Sequence, residues 1–124
     1  MPTYKGCVEM RELVKKKCMP CVAGTSPLKG EELKNLSQIL SDGWEVIDGH
    51  HLEKKYTFGD FKQSLHFINI LGKISDEEKH YPSIFIAYGT VTLQIWTEAL
   101  DGLTENDFIL AAKIEAEYIS HETT

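Results

Sequence analysis

The chain has 124 residues, 42% of them hydrophobic and 26% charged, a balance that fits one globular domain and is too short for two ordinary ones. Lys and Arg number 13 against 19 Asp and Glu, a net charge of −6, which ranks nucleic acid low as the main partner because phosphate-gripping proteins are normally basic. No apolar run approaches the length that spans a bilayer, so no membrane span is expected.

The first 25 residues differ from the rest. They carry Lys5, Arg11, Lys15, Lys16 and Lys17 against Glu9 and Glu12, a net +3, while the remainder carries −9. Residues 1–25 are therefore expected to be an N-terminal extension, a tail, and residues 26–124 the domain. No apolar signal-peptide core opens the chain, and Cys7, Cys18 and Cys21 make an odd count, so free thiols in a reducing, cytoplasmic compartment are expected. Cys18-Met-Pro-Cys21 has the C-x-x-C spacing of metal and redox sites. A structural zinc needs four ligands and no second pair follows, so incidental thiols are the simpler reading; a metal held with Cys7 and one histidine stays open.

Residues 30–41 place Leu33, Leu36, Ile39 and Leu40 at helical spacing, with Glu31 and Glu32 where the helix dipole favours acids and Gly43 as a stop. Trp44–Ile47 and Lys54–Thr57 flank Asp48-Gly49, a turn pair, and read as a hairpin. Thr57 and Asp60 have the spacing of a capping box, and Phe58, Phe61, Leu65, Ile68, Leu71 and Ile74 predict a helix from there to about Ser75. Ser83–Tyr88 and Thr90–Thr97 flank Gly89 and form a second hairpin, whose later strand alternates Val91, Leu93 and Ile95 with Thr92 and Gln94. Thr104 and Asp107 then cap a last helix with Phe108, Ala111, Ala112 and Ile119 inward. The order α-β-β-α-β-β-α predicts an α+β fold, a four-stranded antiparallel sheet with three helices on one face. Its unprotected edges favour a homodimer.

Five histidines invite inspection. His50 and His51 fall in the first hairpin tip and read as a solvated turn, His66 lies at the boundary of the second helix's buried face, and His121 sits near the C-terminus. His80 is in a loop between a rigid helix and a strand, a normal place for a functional side chain, with the acids of Asp76-Glu77-Glu78 near enough to hold one tautomer; an idle loop histidine is the plainer alternative. Trp96-Thr97-Glu98 ends the last strand, where Glu98 is either an ordinary exposed carboxylate or a proton donor lining a pocket with Asp107 or Asp76.

Asp76, three residues, His80-Tyr81-Pro82, Tyr88, Thr97-Glu98 and Gly102-Leu103-Thr104-Glu105-Asn106-Asp107 together resemble the pterin-4a-carbinolamine dehydratase family. That family's pattern has an acid, three residues, His-His-Pro, an aromatic six residues on, Thr/Ser-His and Gly-Leu-Thr-x-x-Asp. Gly43-Trp44 and the run from Lys54 to Phe61 also fit, and the likeness extends over roughly residues 28–118. The Cys18-x-x-Cys21 stretch is similar to an N-terminal extension of some bacterial members.

The resemblance implies removal of water from 4a-hydroxytetrahydropterin to give quinonoid dihydropterin, which recycles the cofactor of aromatic amino acid hydroxylases. It also implies no metal or organic cofactor, and a homodimer through sheet extension or a homotetramer through helices. Some members also bind a homeodomain transcription factor. In the reaction the pterin N5 lone pair expels the C4a hydroxyl; an acid must protonate the leaving oxygen and a base must take the N5 proton, each worth about 10²–10⁴-fold. The family uses three histidines. Here His80 matches the first, while Tyr81 and Glu98 replace the second and third. The resemblance thus implies His80 and Glu98 as acid and base, Tyr81, Pro82, Thr97 and Trp96 as substrate contacts, and Asp107 and Asp76 as orienting groups. With two histidines replaced, the alternative it implies is a catalytically inactive pterin-binding or protein-interaction module.

Overall fold

A computed structural model describes residues 10–19, 26–40 and 43–122, with side chains up to residue 119. Its elements are α1 (residues 10–15), α2 (Gly30–Ile39), β1 (Glu45–Ile47), β2 (His51–Thr57), α3 (Phe61–Glu78), β3 (Ser83–Ala87), β4 (Thr90–Ile95) and α4 (Glu105–Glu122), with a 3₁₀ turn at Glu98–Leu100. The strands form one antiparallel sheet in the order β1-β2-β4-β3, so the fold is α+β with four helices among the described residues.

Alternation in the strands sets the layers. Tyr56 pairs with Val91 and Leu52 with Ile95, and these residues, with Leu93, are buried on one face of the sheet. Helices α3 and α4 both cover that face: the Tyr56 ring lies 5.0 Å from Phe67 of α3 and 4.6 Å from Tyr118 of α4. Full burial of each large aliphatic side chain here is worth about 1.5–3 kcal/mol relative to exposure. The edge strand β3 is less covered: Ile84, Phe85, Ile86 and the following Tyr88 are all exposed.

Several boundaries depart from the sequence expectations for physical reasons. Thr57 does not cap α3; it pairs with Thr90 in the sheet, and the Phe58 N–H continues the ladder to the Gly89 carbonyl. Asp60 caps instead, its Oδ1 accepting the Gln63 N–H at 2.8 Å. Helix α3 runs past Ser75 to Glu78 and ends at Lys79, which adopts the left-handed conformation (φ 55°). A lysine there costs about 1 kcal/mol, and the turn it makes throws the next residue off the helix axis. Strand β2 begins at His51 rather than Lys54, because His51 pairs with Ile47 across the Asp48-Gly49 turn, both of whose residues have positive φ.

The described part of the basic N-terminal stretch is not a loose tail. Leu13 is only 3% exposed and joins the core, with Met10, Val14 and Cys18 packed against it. Cys7 and Cys21 lie outside the described residues. Among the described residues no helix is long and apolar enough to cross a membrane.

Candidate active site

The run Gly102-Leu103-Thr104-x-x-Asp107 builds the centre of the site. Gly102 is required by close approach: a Cβ there would come within 2.8 Å of the Pro27 side chain, and the neighbouring Leu28 N–H bonds the Leu103 carbonyl at 2.7 Å. Leu103 is fully buried and anchors the turn. Thr104 precedes α4, and its N–H donates to Asp107 Oδ2 at 2.8 Å while the Asp107 N–H donates to the Thr104 carbonyl. Asp107 therefore sits in the first helical turn, where an acid satisfies an orphan donor and meets the favourable end of the dipole.

The Asp107 carboxylate is fully buried and takes three donors. Oδ2 also accepts the Thr97 hydroxyl at 2.9 Å, and Oδ1 faces His80 Nε2 at 2.5 Å. Thr97 has one proton and gives it to Asp107, so the Thr104 hydroxyl, 2.9 Å away, donates to Thr97. A carboxylate oxygen only accepts, so His80 Nε2 carries the hydrogen. Its Nδ1 is then the nitrogen left to take up or release a proton. The His80 side chain is 14% exposed, so the ring is held from behind and still reaches the surface. This is the arrangement in which a buried acid fixes the tautomer and orientation of an acid/base histidine.

The other expected residues are placed differently. Tyr81 is 62% exposed and its hydroxyl donates to Asp76 at 3.0 Å, so these two form a pair of their own. The hydrogen bond to Asp76 and that carboxylate's charge push the phenol above its ordinary value, which keeps Tyr81 a donor and not a base. Glu98 opens the 3₁₀ turn next to Thr97 and is exposed. Pro82 is half-buried at the entry to β3. Trp96 faces away from Thr97 and packs against the rings of His50 and His51, at 5.4 and 5.9 Å.

His50 and His51 are accordingly not a solvated turn. His50 Nε2 bonds Asp101 Oδ1 at 2.8 Å and its Nδ1 lies 3.0 Å from His51 Nδ1. Because Leu52 pairs with Ile95, the neighbouring His51 and Trp96 meet on the sheet face opposite α3 and α4. His66 is exposed on α3; the side chain of His121 lies outside the described residues. Among the described residues no group of three or more His, Cys, Asp or Glu side chains is arranged to hold a metal ion. The sequence reading overlooked Thr104 as the hydroxyl behind Thr97; its place three residues before Asp107 was the available signal.

Residues 26–117 match the family model described as Pterin 4 alpha carbinolamine dehydratase. A protein of Rubrobacter xylanophilus named "Putative pterin-4-alpha-carbinolamine dehydratase" is 44% identical over 106 residues, 86% of this chain and 98% of that one. One of the same name from Rickettsia canadensis is 45% identical over 107 residues, 86% of this chain and 98% of its own. Among solved structures, a transcriptional coactivator/pterin dehydratase from Brucella melitensis superposes with a TM-score of 0.68 at 28% identity, covering 73% of this chain and 97% of that one.

Proposed function

The chain belongs to the pterin-4α-carbinolamine dehydratase family, and from that premise we propose that it dehydrates a 4a-hydroxytetrahydropterin to the quinonoid dihydropterin, recycling a pterin cofactor by acid/base catalysis. The observation that carries this reading is His80, held through Nε2 by a buried, fully satisfied Asp107 and free to exchange a proton at Nδ1. In the reaction the C–O bond at C4a breaks, its electron pair leaves with the oxygen as water once that oxygen is protonated, and N5 loses its proton as the C=N bond forms.

His80 and the exposed Glu98 carboxylate are the acid/base pair in this proposal: His80 shares the acceptor Asp107 with Thr97, and Glu98 is the residue after Thr97. Tyr81 is proposed to turn its O–H from Asp76 to the pterin or to the leaving oxygen; Pro82 and Thr97 shape the contact surface, Trp96 lying apart from it against His50 and His51, and Asp107 and Asp76 orient His80 and Tyr81. The exposed apolar edge Ile84–Ile86 with Tyr88 supports a homo-oligomer formed through β3. We further assign the protein to the cytoplasm.

Stopped-flow loss of 4a-hydroxytetrahydropterin tests the activity. The expected result is acceleration over the uncatalysed rate that His80→Ala removes; a wild-type rate equal to the uncatalysed one overturns it. A second reading, a pterin-binding or protein-interaction module without catalysis, is favoured by Tyr81 and Glu98 standing where the family has histidines. Pterin binding with no rate acceleration, together with a gain of activity in Glu98→His, is its expected signature.

A further inference from the structure

Two chain segments carry the dyad. His80 comes just after the left-handed turn at Lys79, and Asp107 sits in the first turn of α4, so each lies at a helix end, where structure opens first. The N-terminal strap, residues 10–19, bonds to both segments beside the dyad. The Cys18 N–H donates to Glu78 Oε1 at 2.8 Å, two residues before His80. The next residue, Met19, makes a two-point contact with Asn106, the neighbour of Asp107: its N–H donates to Oδ1 at 2.9 Å and its carbonyl accepts from Nδ2 at 2.6 Å. Cys18 and Met19 are joined by one planar peptide unit, whose Cα atoms are about 3.8 Å apart, so the two anchors leave little slack.

We propose that Cys18 and Met19 form a clamp that sets the contact between His80 and Asp107, with Glu78 and Asn106 as its positioning residues. The ring of connections is closed: Cys18 to Glu78, along the chain to His80, across to Asp107, back one residue to Asn106, and across to Met19. Outer links hold the strap in register. Lys113 donates to the Val14 carbonyl at 2.7 Å, Lys16 pairs with Glu105 at 3.2 Å, and Leu13 is buried in the core. The Glu78 side chain is 3% exposed, with the ammonium groups of Lys113 and Lys17 at 3.6 and 3.9 Å. A buried carboxylate with one strong backbone donor and two flanking cations has a definite place, and it fixes the end of α3. The Cys18 thiol is enclosed in the same contact, donating to the Asn106 carbonyl at 3.5 Å. Its reactivity therefore reports whether the clamp is shut. The catalytic meaning of the clamp rests on the dehydratase reading; its effect on the His80 ring does not.

The test uses the full chain with Cys7→Ser and Cys21→Ser, comparing Glu78→Gln/Asn106→Ala with the same background. Nitrogen-resolved NMR of the imidazole reads the His80 Nε2–H, alkylation reads Cys18, and amide spectra of β2 and β4 check that the fold persists. The expected result is loss or broadening of the His80 Nε2–H signal and alkylation of Cys18 faster by about tenfold, the factor that one ordinary hydrogen bond allows. If the double variant does not fold, Asn106→Asp keeps one of the two Met19 bonds and is expected to shift the His80 signal part of the way. A His80 signal superimposable on that of the background protein overturns the clamp. In the dehydratase assay, clamp variants are expected to lose kcat with KM little changed. A moved His80 signal in a chain with no dehydratase rate keeps the clamp and removes the function; an unmoved signal in an active enzyme does the reverse.

Discussion

Helix α4 carries two buried carboxylates, Asp107 and Glu115, about 12 Å apart along its axis, each accepting from three donors. Their surroundings differ. Glu115 Oε1 takes Trp44 Nε1 at 3.1 Å, Lys54 Nζ at 2.7 Å and the Tyr56 hydroxyl at 2.7 Å, and the ammonium group also lies 4.7 Å from the centre of the Tyr56 ring. Burial and the Glu115 charge push the Tyr56 phenol well above its ordinary value, so it stays a donor. That centre ties β2, the residue before β1 and α4 together and is enclosed. The Asp107 centre has a histidine as its third donor and lies at the end of the sheet where that ring reaches the surface. The same motif, a satisfied buried carboxylate, thus serves as a structural joint in one place and, in the function proposed above, as the backing of a proton-transfer group in the other. What separates them is the kind of donor and access to solvent, not burial of the acid.

Substitutions can break this contrast. The largest effect on turnover is expected for His80→Ala, a fall of about 10²–10⁴ in the dehydration rate, with a stability loss of about 1–3 kcal/mol because it removes one of the three donors to Asp107, checked by stopped-flow and thermal unfolding. The mirror image is Glu115→Ala, which takes away the acceptor shared by Lys54, Trp44 and Tyr56; it is expected to cost about 3–5 kcal/mol in urea unfolding while the rate per folded molecule holds. Thr97→Val removes one donor from Asp107 and is expected to cost about 1–3 kcal/mol in stability and to lower kcat together.

The smallest expected effect is in acid. Burial raises the Glu78 carboxyl, but the Cys18 N–H and the Lys113 and Lys17 charges outweigh it and hold the group below its ordinary value of 4.5. A carboxyl lowered by folding adds stability above its unfolded value and loses it as pH falls through the folded one. The wild type should therefore lose stability more steeply than Glu78→Gln below about pH 4.5, measured by unfolding across that range. At the other extreme, burial and the Glu78 charge push the Cys18 thiol up to about 12, in keeping with a thiol that is inert while the strap is docked.

The sheet was legible because its signal is local: alternation from Val91 to Ile95 and the Asp48-Gly49 turn need no distant information. The Gly102-to-Asp107 run was legible for the same reason, since cap and acid lie three residues apart. Contacts between distant residues were not. The basic run Lys15–Lys17 hid the buried face of Leu13, whose partners come from the far end of the chain. His50 pairs with Asp101 across 51 positions, and nothing in the hairpin tip announces it. Thr57 was misread because a capping threonine and a strand-ending threonine look alike until the strand's partner is known.

In the function proposed here the Asp107 centre does chemistry and the Glu115 centre holds the fold. The most direct test is the single-turnover dehydration rate of Asp107→Asn and Glu115→Gln, measured side by side at equal concentrations of folded protein. Asp107→Asn, which presents the wrong partner to His80 Nε2, is expected to lose about 10²–10⁴ in rate while Glu115→Gln keeps that of the wild type. Equal rates for Asp107→Asn and the wild type, or a larger loss in Glu115→Gln, would contradict it.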